Sequence, residues 1–188
     1  MADSARIDEL VENNNNSYAD YLQWEGPERY QLIDGEVFQM ASPSVEHQAI
    51  LMALSIQFGN WLKGKPCKVF FAPLDVRLFP KNDNSDKTVV QPDMLVVCDE
   101  SKLGKNSVNG APDLVIEIVS PSNSYRELFL KFQYYLEAAV REYWLIDPEE
   151  KKVQVHVYEN KRYISTAYNY TENLSIPVSI LPGLQINL

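Results

Sequence analysis

Positive charge is what this 188-residue sequence has least of. Its 17 lysines and arginines face 26 aspartates and glutamates, for a net charge of −9 and an isoelectric point near 4.7. Duplex nucleic acid is held largely by Lys and Arg contacts to phosphate, so this balance excludes broad, non-specific coating of DNA. It leaves room for a local basic rim, or for an acidic cluster that admits a polyanion once metal ions neutralise it. Cysteine is scarce as well. Cys67 and Cys98 have no metal-ligand spacing and Cys98 ends an apolar stretch, so two separate reduced thiols in a cytoplasmic protein are expected. No apolar run approaches the roughly 20 residues that span a bilayer, the N-terminus lacks the apolar core of a signal peptide, and no internal repeat appears. What remains, 45% hydrophobic with 11% aromatic residues, fits a soluble globular protein with one sizeable core.

The most informative stretch is 113–120, DLVIEIVS, bounded by Gly110, Pro112 and Pro121. A short β-branched run between such breakers reads as a strand buried on both faces. Glu117 sits inside it, and an ionised carboxylate there is costly unless paired or bound to a metal. Upstream, 91–98 (QPDMLVVC) is a second apolar strand that opens with Asp93 after a proline. Downstream, 126–140 has Leu128, Phe132, Tyr135, Leu136 and Ala139 at helical spacing, with Ser124 and Glu127 placed as a capping box. Lys131 lies in this helix. Two acids on neighbouring strands plus a lysine are the parts needed for metal-assisted phosphodiester hydrolysis.

Asp93 and Asp113 both follow a proline, so the dipeptide does not say which one partners Glu117. Asp113 and Glu117 are four residues apart on one strand, roughly 13 Å, too far to share one ion. Asp93 can be brought beside Glu117 by strand pairing, which leaves Asp113 as a turn or cap residue.

Elsewhere, residues 1–17, with four consecutive asparagines, read as a flexible tail, and 18–188 as a single domain. Residues 18–25 suggest a short helix and 30–40 a hairpin around Asp34-Gly35. Glu36 follows that turn, as a solvated hairpin residue or a site residue. Ser44 can cap a helix to about Lys63 whose apolar face carries His47, Ile50, Leu51, Leu54, Phe58 and Trp61. His47 is either a hydrogen-bonded core residue or a group aimed into a cleft from the first turn, whereas Glu46 faces solvent. Residues 68–79 read as a strand pair or one long bent strand, broken at Pro73, with Asp75 and Arg77 on one face and expected to pair. Loops follow at 80–87 and 99–112. The alternating run 153–157 places His156 on the surface, and the tyrosines 158, 163, 168 and 170 suggest an aromatic surface for a homodimer.

The segments QPDMLVV, APDLVIEIVSPS, the lysine helix ending in AAVREYWLIDP, LIDGEV, SVEHQAI and the closing ILPGLQINL, in this order, resemble the Uma2 family of restriction-endonuclease-like proteins in the PD-(D/E)XK nuclease superfamily. The resemblance implies a mixed α/β (α+β) restriction-endonuclease-like core, a central mixed sheet flanked by helices with an additional β-hairpin. It also implies a Mg²⁺- (or Mn²⁺-) dependent DNA endonuclease. Asp93, Glu117 and the carbonyl of Ile118 would hold the ion, Lys131 would act on the attacking water or the phosphate, and Glu36 and His47 would support them. The parent motif puts a lysine two residues after the glutamate, where this chain has Val119; the family instead supplies one from the following helix, at Lys131. The family often has glutamate at Gln31, aspartate at Glu127 and glycine at Ala139. The alternatives are a Glu127–Lys131 pair on a solvated helix face, and a non-catalytic DNA-binding or protein-interaction scaffold that keeps the fold.

Overall fold

Strands that are apolar on both faces need cover on both sides, and the chain provides it. The structure is a computed structural model that describes residues 14–24, 27–120, 124–170 and 174–188. Its central sheet is formed by β3 (Lys68–Phe71), β6 (Met94–Val97), β8 (Leu114–Ile118), β9 (Glu142–Asp147), β10 (Lys152–Glu159) and β11 (Arg162–Asn169). The spatial order is β11-β10-β9-β8-β6-β3, with β8 and β9 parallel and the other neighbours antiparallel. A parallel pair needs a crossover, and helix α3 (Tyr125–Glu137) is that crossover.

All five residues of β8 are buried. Leu114, Ile116 and Ile118 pack with Leu54, Phe58 and Leu62 of helix α2 (Val45–Leu62), while Val115 packs with Tyr135 of α3 on the other face. Strand alternation puts Glu117 on the α3 side too. Ser44 and Ser124 cap the two helices, their hydroxyls accepting from the His47 and Glu127 N–H groups at 3.1 Å each. Helix α3 stops where Ala139 takes the left-handed conformation, φ 57°, which glycine adopts with less strain.

A second sheet runs β2-β1-β5-β4-β7: β1 (Arg29–Ile33), β2 (Glu36–Met40), β4 (Asp75–Arg77), β5 (Val89–Val90) and β7 (Ser107–Asn109). The hairpin expected at 30–40 is the β1–β2 edge of this sheet. Asp34 (φ 54°) and Gly35 (φ 80°) make its turn, matching the Asp-Gly preference of tight hairpins. The remaining elements are α1 (Tyr18–Tyr21), β12 (Ser175–Pro177) and β13 (Gln185–Asn187); Ile176 and Ile186 of the last two close the α2 side of the core.

Several local expectations are corrected. Cys67 and Cys98 are not separate thiols: they flank the paired residues Lys68 and Val97 of β3 and β6 and form a disulfide. Arg77 pairs with Asp86 and not with Asp75, whose carboxylate accepts from Tyr21 and Gln91. Residues 99–112 are not one loop, because β7 pairs with β4 inside them. His156 is buried because β10 is covered on the face opposite its valines by Phe132, Tyr143 and Tyr163. Tyr163, Tyr168 and Tyr170 pack on the chain's own core, so they do not form the free aromatic surface expected. At the start of the chain Asn16 is buried and both its N–H and its amide donate to the Gly35 carbonyl. The tail expectation thus fails for residues 14–17; residues 1–13 lie outside the described residues. Among the described residues no helix is long and apolar enough to cross a membrane.

Candidate active site

The site starts from a register. In the antiparallel β6–β8 pair Met94 stands opposite Ile116 and Leu95 opposite Val115; one more step places Asp93 opposite Glu117. Asp93 Oδ2 accepts from the Ile118 N–H at 2.8 Å, and Oδ1 lies 3.1 Å from His47 Nε2. The carboxylate is thereby fixed by β8 on one side and by the first turn of α2 on the other. Within a strand the N–H and C=O of one residue leave toward the same edge, so the Ile118 carbonyl also points to the Asp93 side.

Glu117, 6% exposed, meets α3. Its Oε1 accepts from Tyr135 Oη at 2.6 Å, and Lys131 Nζ lies 3.0 Å from Oε1 and 3.1 Å from Oε2. Burial pushes the Glu117 carboxyl up, and Asp93 adds to this; Lys131 and Tyr135 pull it back, leaving it at about 7. Burial disfavours the Lys131 ammonium, but Glu117, Glu127 and Asp93 outweigh this and hold it above its ordinary value. Burial and Glu117 raise Tyr135 well above the usual phenol range, so its hydroxyl remains a donor.

Lys131 Nζ is also 3.8 Å from Glu127 Oε1. The two readings of the lysine are therefore not exclusive, but the helix face is buried, not solvated: Lys131 is 3% and Glu127 7% exposed. The groups converge on a cleft of about 150 Å³, lined by His47, Asp93, Glu117, Ile118 and Lys131 among others. Glu36 is not brought there. Its carboxylate binds Arg126 at 2.6 Å instead.

Sequence reasoning missed Gln31 and Gln91, which also line the cleft. Gln31 is 1% exposed and its Nε2 donates to Glu127 Oε1 at 2.6 Å. Gln91 donates to Tyr21 Oη and Asp75. Three buried polar atoms on cleft residues, Gln31 Oε1, His47 Nδ1 and Gln91 Oε1, have no hydrogen-bond partner among the described residues.

These residues fit one kind of metal ion. Among the described residues no three His, Cys, Asp or Glu side chains converge as a cage, which is the donor set zinc would favour. Mg²⁺ instead takes one or two carboxylates and keeps several waters. Asp93, Glu117 and the Ile118 carbonyl could supply hard oxygen ligands to such an ion, and its waters could serve polar atoms that lack a partner.

Comparison with known proteins agrees in fold. The chain is 25% identical over 161 residues to the uncharacterized protein slr1290 of Synechocystis sp., covering 84% of this chain and 82% of that protein. It is 29% identical over 134 residues to the uncharacterized protein sll1609 of the same organism, covering 69% and 73%. A crystal structure from Anabaena variabilis, described as "a putative nuclease belonging to DUF820", superposes with a TM-score of 0.70 at 22% identity, over 88% of this chain and 90% of that one. The family model "Uma2: Putative restriction endonuclease" matches residues 18–188. The chain belongs to the Uma2 family, within the PD-(D/E)XK nuclease superfamily.

Proposed function

We propose that the cleft is the active site of a Mg²⁺- or Mn²⁺-dependent DNA endonuclease. One observation carries this reading: Asp93 stands opposite Glu117 across a strand pair, with the Lys131 ammonium 3.0 Å from the glutamate. A divalent ion bound there supplies Lewis acidity toward phosphate oxygen and a more acidic water. The chain's own groups do the rest. Asp93 is held in one orientation by the Ile118 N–H and His47, and Glu117 by Tyr135. Val119 stands two residues after Glu117, where the parent motif has its lysine; here a lysine from α3, Lys131, reaches Glu117 instead. The ammonium can donate to an attacking water or to a non-bridging phosphate oxygen. A homodimer, one site for each strand of a duplex, belongs to this proposal.

The second reading, a scaffold that keeps the fold without catalysis, is favoured by the net charge of −9 and by a lysine already flanked by two carboxylates. The deciding assay incubates supercoiled plasmid and a labelled single strand with the wild type, Lys131→Met and Glu127→Gln in Mg²⁺ or Mn²⁺. Cleavage should require the ion and fall roughly 10²-fold in Lys131→Met. Glu127→Gln keeps the Lys131–Glu117 contact and should stay close to wild type. A wild type that cuts nothing with either ion supports the scaffold. Equal, small losses in both variants would reduce Lys131 to a structural pair.

A further inference from the structure

Two cations line the cleft, Lys131 and Arg29, and only Lys131 is committed. Lys131 is enclosed by Glu117 and Glu127. The side chain of Arg29, the half-buried first residue of β1, has no ion pair, hydrogen bond or ring contact among the described residues. Arg77, Arg126 and Arg141 each hold a carboxylate; Arg162 of β11 has no such partner among the described residues either, but it is exposed and does not line the cleft.

Charge shows what such a group is for. With Glu117 ionised, as a bound cation would favour, the floor of the cleft carries Asp93, Glu117 and Glu127 against one ammonium, which leaves two formal negative charges. One divalent ion cancels them and leaves nothing over for a phosphodiester, which brings a negative charge of its own. In so acidic a chain that anion needs a cation at the cleft, and Arg29 is the uncommitted one. Position agrees. Arg29 and Gln31 share a face of β1, two residues or roughly 7 Å apart. Gln31 reaches the floor at Glu127, so Arg29 lies farther along the wall, beside Met40, its partner in register on β2. A guanidinium also binds phosphate through two parallel N–H groups, which an ammonium cannot.

We propose that Arg29 is a substrate-binding residue of the cleft, clamping a phosphate of the nucleic-acid backbone on the wall formed by the β1–β2 hairpin. This rests on the nuclease reading above, and it assigns Arg29 to holding the substrate, not to the chemistry.

The test measures anisotropy of a fluorescein-labelled oligonucleotide, single-stranded and duplex, against salt in millimolar Ca²⁺, with the probe's integrity checked on a gel. Cleavage kinetics in Mg²⁺ run in parallel. Arg29→Met should lower the slope of log affinity against log salt by one phosphate contact, about 0.9 for duplex or 0.7 for single strand. KM should rise several-fold with kcat within about twofold of wild type, and the melting temperature should not move. Arg29→Lys should keep the slope and lose part of the affinity. If Arg29→Met does not fold, Arg29→Gln, which keeps a long polar side chain, reads the same slope. A slope and KM equal to those of wild type would overturn the assignment while leaving the nuclease reading intact. A wild type that binds neither oligonucleotide at low salt would overturn both.

Discussion

The two ends of the β6–β8 strand pair are built alike and do different things. At each end a Pro-Asp dipeptide sends one carboxylate oxygen across to a backbone N–H of the partner strand: Asp93 to Ile118 at 2.8 Å, Asp113 to Cys98 at 2.7 Å. At each end the other oxygen meets a cationic or neutral donor, His47 at 3.1 Å and Arg141 at 3.0 Å. The dipeptide is thus a device for ending a strand pair, satisfying an N–H that the ladder no longer serves. Chemistry depends on what stands around it. Beside Asp93 are a buried glutamate, a buried lysine and a cleft; beside Asp113 are a disulfide and a largely exposed arginine.

The comparison breaks most sharply by neutralising each aspartate in turn. On the proposed reading Asp93→Asn removes a ligand, so cleavage should fall roughly 10²–10³-fold and a rise in melting temperature with millimolar Mg²⁺ should be absent. Asp113→Asn keeps an acceptor for Cys98 and should cost about 1 kcal/mol, with cleavage and the Mg²⁺ response unchanged. Thermal melts with and without Mg²⁺, beside the plasmid assay, read both variants. Equal loss of cleavage in the two would mean that the ends are not functionally distinct.

This near-symmetry explains what the sequence could tell. Periodicity and punctuation were enough for the buried β8, the Asp34-Gly35 turn and the caps at Ser44 and Ser124, since all rest on local geometry; that Asp93 stands opposite Glu117 depends on the pairing of β6 with β8. Lys131 was picked out beside the two acids, but only the resemblance favoured a site role for it, because i, i+4 spacing to Glu127 permits a surface pair equally well. Gln31 was noted only as a missing acid. Its partner Glu127 is 96 residues away, and no local rule joins a strand amide to a helix carboxylate. Tyr135 was counted as apolar face, yet it lies one turn beyond Lys131 on the side that Glu117 occupies, a spacing that could have identified it. The Cys67–Cys98 bond follows from β3 pairing with β6, which neither cysteine signals. His156 was misplaced because alternation shows which residues share a face, not whether the other face is bare.

Glu117 should also make stability depend on pH. Glu117 has its carboxyl raised from 4.5 to about 7. The folded state therefore binds this proton more tightly than the unfolded chain does. The stability it contributes is complete below about pH 4.5 and is lost as pH rises through about 7. Without metal, the protein should be less stable at pH 8 than at pH 5 by on the order of 3 kcal/mol through this group. Glu117→Gln should remove that slope. Because a bound cation favours the carboxylate, Mg²⁺ should raise the melting temperature more at pH 8 than at pH 5. Denaturant titrations across this range check both, and an identical slope in Glu117→Gln would assign the pH response elsewhere.

The smallest effects come from the outer partners, and here distance and burial make opposite forecasts. His47–Asp93 and Arg141–Asp113 are separated by nearly the same distance, so geometry alone gives them equal weight. Their side chains are 7% and 59% exposed. An ion pair with an exposed arginine contributes at most about 1 kcal/mol, so Arg141→Met should change stability by no more than this and leave cleavage alone. A buried donor that orients a metal-binding carboxylate typically matters by 10–100-fold in metal affinity. His47→Ala should therefore weaken Mn²⁺ binding by about that factor, measured calorimetrically on protein whose fold is checked by melting. His47→Gln keeps an N–H able to reach Asp93 and should recover part of the loss. If His47→Ala loses stability but binds Mn²⁺ as wild type does, the histidine is only a core residue, and the two ends differ by Glu117 and Lys131 alone.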